Sequence, residues 1–150
     1  MLRRVTKLKL KFSVKASSAN PTKTIVSARN FQIIVDEPKN QGGTDDGATP
    51  VEYVLAALAG CLNVVGHVVA KEMDMPLTGI DFELEGDLNP AKFMGKSAKE
   101  RAGYQEIRVK MTPQTTADTK TIEEWLKTVE ARCPVSDNLV NPTPVKITIG

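Results

Sequence analysis

Leu8, Leu10, Phe12 and Val14 alternate with Lys7, Lys9, Lys11, Ser13 and Lys15. Strict alternation of this kind predicts a half-buried strand with a lysine-rich outer face. A turn over 17–21 separates it from two further predicted strands, Thr22–Val26 and Phe31–Val35, the last apolar and β-branched. Residues 36–48 are polar and Gly-rich and predict the longest loop. Thr49, Pro50 and Glu52 then predict a helix start: an N-cap, a proline at the first helical position, and a capping-box glutamate. The helix is expected to run to about Lys71–Glu72 and is apolar almost all round, which predicts burial on most faces.

Beyond Met73-Asp-Met-Pro76, alternation predicts a strand over Gly79–Asp87 with Ile80, Phe82 and Leu84 on one face. Leu88–Arg101 is polar and irregular, a hairpin loop or lid, and Gly103–Met111 is the next strand. Ile122, Trp125, Leu126 and Val129 form the apolar stripe of a second helix over Thr119–Arg132, with Thr121 and Glu124 at capping-box spacing. Cys133-Pro134 ends it, because the residue before proline is pushed out of the helical region. A short helix from Pro134 to Val140 and a final strand over Thr143–Ile149 complete the chain. The order β-β-β-α-β-β-α-β lacks βαβ alternation. It predicts an α+β fold, with antiparallel sheets on one long buried helix, in a single domain over 1–150.

Composition narrows the function. The chain has 150 residues, 41% hydrophobic, with net charge +2, and a length at which roughly 70% of the unfolded surface is buried without staples. Twenty basic residues against eighteen acidic give no electrostatic footprint for nucleic acid. Asn63 and His67 interrupt the apolar stretch from Val51 to Ala70, which reads against a membrane span. The basic N-terminus has no apolar signal-peptide region, so the expected compartment is the cytoplasm, where thiols stay reduced. Two cysteines make no disulfide framework, and one histidine leaves no His-rich metal site.

The chemistry therefore rests on Cys61 and Cys133. Cys61 lies in the middle of the apolar helix, where a cysteine often serves as a small hydrophobe. Cys133 sits at a helix end beside Arg132, a setting that favours a thiolate. His67, six residues beyond Cys61, points about 240° away around the helix, and Glu52, nine residues before it, about 180° away. Asp36, Glu37, Asp45 and Asp46 lack the spacing of a calcium loop, and the Gly-rich loop lacks the Lys-Ser/Thr ending of a phosphate loop. Arg29 and Arg101 are among the arginines that can approach a thiol.

Two motifs carry a resemblance: Gly42-Gly-Thr-Asp-Asp-Gly-Ala-Thr-Pro-Val-Glu-Tyr-Val-Leu-Ala-Ala-Leu-Ala-Gly-Cys61, and Arg132-Cys-Pro-Val-Ser-Asp-Asn-Leu139. Together they resemble the OsmC/Ohr family, the osmotically inducible and organic hydroperoxide resistance proteins. The resemblance implies the OsmC-like α+β fold, an intertwined homodimer with the active site at its interface, and thiol-dependent peroxidase activity. Cys61 would attack a small organic hydroperoxide, Cys133 would resolve the product, and an external dithiol would reduce the disulfide. No cofactor, metal, nucleic acid or membrane is implied. Family peroxidases activate the first cysteine with an Arg and a Glu. Here Val51 follows Pro50 and Glu52 comes one position later than in one branch, Arg29 is near but off the family pattern, and Arg101 could serve from the Gly103-Tyr104 strand; Glu52, Arg29 and Arg101 are the candidates for the activating groups, in a divergent member. The alternative is an OsmC-fold binder of apolar ligands, or a thiol protein without peroxidase activity.

Overall fold

The computed structural model describes residues 9–150, which form two compact units, one ending at Tyr53 and one beginning at Val54. The first unit holds a three-stranded antiparallel sheet in the order β1 (Lys15–Ser18), β2 (Thr24–Ala28), β3 (Phe31–Val35). Arg29 and Asn30 form the tight turn between β2 and β3, with Ala28 paired to Phe31 and Arg29 in the left-handed region at φ 56°. The expected strand over Leu8–Val14 is not formed where it is described, and Leu8 itself lies outside the described residues. The chain enters the sheet only at Lys15. Leu10, Phe12 and Val14 are 68%, 88% and 62% exposed, so an alternating pattern has no apolar layer under it in this chain. Ser17 and Ser18 therefore belong to β1, and the turn sits later, closed by the Ala19 N–H donating to Lys23 O at 2.9 Å.

The loop after β3 is organised by one buried carboxylate. Asp36 accepts from the Thr44 hydroxyl at 2.5 Å and from the backbone N–H groups of Glu37, Thr44 and Asp46. These donors, the Thr44 hydroxyl foremost, hold its carboxyl well below the usual carboxylate range despite burial. The loop folds so tightly that a Cβ on Gly43 would lie 1.7 Å from Glu37 O, so glycine is required there.

Helix α1 (Pro50–Glu72) starts as expected. Glu52 accepts from the Thr49 N–H at 2.8 Å and the Thr49 hydroxyl at 2.9 Å, and its own N–H donates to Thr49 Oγ1. The Tyr53 hydroxyl donates to Ile34 O at 2.7 Å, tying this first turn to β3.

In the second unit α1 continues beside a long hairpin, β4 (Gly79–Leu88) and β5 (Tyr104–Gln114), followed by α2 (Thr119–Arg132) and α3 (Pro134–Val140). The hairpin pairs Phe82 with Met111 and Leu84 with Val109, and its inner face covers the core formed by Leu58, Leu62, Val69, Trp125 and Val129. Its outer face is charged, with Arg108 bonded to Glu85 and Asp87 and Lys110 to Glu83. Asp118, not Thr121, caps α2: its side chain accepts from the Thr121 N–H at 2.8 Å. The predicted strand over Thr143–Ile149 is irregular in the structure, with Val145, Ile147 and Ile149 at 79%, 91% and 100% exposure. Burial of α1 within the chain is one-sided. Leu58, Leu62, Gly66, Val69 and Ala70 are buried, while Val64 and Val68 are exposed.

The crossing of α1 and α2 depends on Gly66. A Cβ there would lie 2.7 Å from Ile80 Cδ1 and 3.1 Å from Trp125 Cζ2. The buried Trp125 indole uses that space to donate Nε1–H to Gly66 O at 2.8 Å. We expect Gly66→Ala to lower stability in urea denaturation by about 1–3 kcal/mol through overpacking. Trp125→Phe should cost about 1–3 kcal/mol in the same assay, because it removes the Nε1–H bond to Gly66 O and empties part of the space the indole fills.

Candidate active site

Three elements of the second unit meet at the two cysteines. Cys61 comes from the middle of α1, where it packs against the core. Cys133 comes from the junction of α2 and α3 and is 1% exposed. Pro134 forces that junction. It denies Cys133 the helical conformation, leaving it at φ −77°, ψ 111°, and it occupies the first position of α3, where its missing N–H is not needed. Cys133 is thus both the last cap of α2 and the first cap of α3.

This makes the two thiols neighbours, each within the other's electrostatic reach. The amides after Pro134 then meet the sulfurs. The Ser136 N–H donates to Cys133 Sγ at 3.4 Å, and the Val135 amide is near enough to Cys61 to favour its thiolate. Both cysteines are free thiols. Burial pushes the Cys61 thiol above its ordinary value. The Val135 N–H pulls it down, and the neighbouring Cys133 adds to the rise.

The other expected site residues have local settings of their own. Arg132 is turned to Glu72, which both of its terminal nitrogens contact, so its charge is engaged away from the sulfur. Arg101 is exposed in the loop between β4 and β5. Arg29 and Glu52 belong to the first unit. Arg29 stacks its guanidinium 5.0 Å above the Phe31 ring, and Glu52 is occupied by the helix cap. His67 is exposed, with Nδ1 2.9 Å from Asn63 O, one turn back on its own helix. The contacts that sequence reasoning missed are the Val135 and Ser136 amides. Their signal was present in Cys133-Pro134, since proline at the first helical position leaves the next two amides pointing out of the helix start.

An apolar cavity of about 170 Å³ in the same unit is lined among others by Leu58 and Leu62 of α1, Val109 and Met111 of β5, Trp125 of α2 and Ser136 of α3, and by neither cysteine. Leu58 and Leu62 flank Cys61 in sequence, and Ser136 is the residue whose amide holds Cys133.

The fold is α+β, with antiparallel sheets and two cysteines brought together from different helices. The chain belongs to the OsmC-like protein family, whose pattern matches residues 43–148. Its fold is that of several solved structures. An OsmC-like protein from Mycoplasma pneumoniae superposes with a TM-score of 0.77 at 20% identity, covering 89% of each chain. An organic hydroperoxide resistance protein OsmC from Legionella pneumophila gives 0.63 at 17% identity, covering 89% of this chain and 91% of that one. An organic hydroperoxide resistance protein from Elizabethkingia anophelis gives 0.63 at 18%, with 88% and 89% covered. No curated protein sequence matches the chain.

Because the Cys61 thiol sits above its ordinary value, its reactive thiolate is a minor species at neutral pH and grows as pH rises. Alkylation of Cys61 by iodoacetamide, followed by mass spectrometry, should accelerate about tenfold per pH unit between pH 7 and 8.5, as expected for a thiol with its midpoint above that range.

Proposed function

We propose that this chain, acting as a single OsmC-like domain, is a thiol-dependent peroxidase that reduces organic hydroperoxides to alcohols. The observation that carries this reading is the proximity of the Cys61 and Cys133 thiols. A thiolate at Cys61 attacks the outer oxygen of R–O–O–H, the O–O bond breaks, and the alkoxide leaves as the alcohol. The resulting sulfenic acid is attacked by Cys133, which expels water and forms a disulfide. An external dithiol then restores both thiols by exchange.

Cys61 is assigned the attack because it is the less buried of the two, with the apolar side chains of α1 on either side in sequence. The Val135 N–H favours its thiolate, the one stabilising contact seen on that sulfur among the described residues. The apolar cavity favours an organic substituent on the peroxide. Glu52, Arg29 and Arg101 are not part of the site in this reading: each has the other setting described above. The working compartment is the cytoplasm, in keeping with two free cysteines.

The protein is further proposed to work as a homodimer. The alternating segments at both ends expose Leu10, Phe12, Val14, Val145, Ile147 and Ile149, and α1 exposes Val64 and Val68. A second copy supplies the surface that these strand-like and helical faces otherwise lack. Sedimentation should give twice the 16.3 kDa chain mass, and removal of 143–150 should shift the species toward monomer.

A peroxide-consumption assay with cumene hydroperoxide and dithiothreitol tests the chemistry. Wild type should turn over, Cys61→Ser should fall to the uncatalysed background, and Cys133→Ser, mixed with peroxide in the absence of dithiothreitol, should consume about one equivalent and leave a trappable sulfenic acid. Equal background rates for wild type and Cys61→Ser would reject the peroxidase. A second reading, a carrier of apolar ligands, is favoured by the cavity itself. Native mass spectrometry showing a co-purified apolar molecule on a peroxide-inert protein would select it.

A further inference from the structure

The sulfur of Cys133 holds two positions at once. It neighbours the Cys61 thiol, and it accepts the Ser136 N–H at 3.4 Å as the side-chain cap of α3. The helix it caps is short and weakly held. None of its seven residues is fully buried, and only Val135 and Leu139 rest on the core. Its first turn is fastened at Cys133, by the Ser136 N–H to the sulfur and the Asp137 N–H to the carbonyl. By contrast, α1 is 23 residues long with five buried positions.

A disulfide places two sulfurs about 2.05 Å apart, much closer than any hydrogen-bonded contact between thiols. The Cys133 sulfur must therefore move toward Cys61. The contact that this movement strains is the long one to Ser136, and the element that yields is the short helix rather than α1.

We propose that Cys133 is a redox latch on α3: bonding it to Cys61 withdraws the cap, releases Pro134–Val140, and exposes the Cys133 sulfur to an external dithiol. In the reduced state that sulfur is 1% exposed, so a dithiol has no line of approach to it. The proposal rests on the Cys61–Cys133 disulfide of the peroxidase reading and adds the conformational step that lets the reductant in. In balance, the two thiols and R–O–O–H give the disulfide, R–OH and water. The reductant dithiol then returns two protons and two electrons and leaves as its own disulfide.

Hydrogen exchange of the amides of 135–140, read by mass spectrometry, tests the latch in the full chain. Diamide serves as the oxidant, taking two protons and two electrons from the thiols to become the hydrazine, so no peroxidase activity is needed. Oxidised wild type should exchange about five- to tenfold faster in this segment than reduced wild type, the change expected for loss of a helix cap. Cys133→Ser keeps a capping oxygen but forms no intramolecular disulfide, and should stay slow in diamide. Cys133→Ala removes the cap and should be fast with or without oxidant. A disulfide confirmed by the loss of two hydrogens, with unchanged exchange over 135–140, overturns the latch alone. A chain that forms no intramolecular disulfide overturns the latch and the resolving step together.

Discussion

The second unit is organised around a missing side chain. At Gly66 the bare backbone of α1 admits the Trp125 indole, which fills the space and donates to the Gly66 carbonyl. A tryptophan buried with its one polar atom satisfied contributes a large apolar area with a fixed orientation. That orientation sets how α2 lies on α1, and the C-terminal end of α2 then carries Cys133 to the Cys61 position. Ile80 of β4 closes on the same point, so the hairpin, both long helices and the dithiol share one packing constraint.

The proline after Cys133 adds the local chemistry. It stops α2, starts α3, and turns two successive amides toward two sulfurs. Backbone N–H groups are modest partners for sulfur, and burial opposes them at Cys61. Arg132, next to Cys133 in sequence, is bound to Glu72 instead. The two thiols are thus positioned as neighbours with no cation engaged on either sulfur among the described residues.

Much of the fold was legible along the chain. The capping box at Thr49–Glu52, the stop at Cys133-Pro134 and the alternation of Ile80, Phe82 and Leu84 each encode a local geometry that tertiary contacts leave intact. The two terminal alternations read equally well as strands, yet neither forms one where it is described. A strand needs a neighbour for its backbone hydrogen bonds and a layer under its apolar face. Periodicity reports the preference, not whether a partner is present. The same distinction explains α1, whose all-round apolar composition meets only one-sided burial within the chain.

By itself the sequence determined the types of the elements between the two terminal segments, the end of α2 and the identity of the two candidate thiols, because those follow from short-range sterics, capping and periodicity. Only the tertiary structure decided that Cys61 and Cys133, 72 positions apart in the chain, are neighbours. It also decided that Arg132 pairs with Glu72 and that Val135 and Ser136 supply the amides. These are choices among partners distant in sequence. They are made by which helix can approach which, and here a glycine opposite a tryptophan made them.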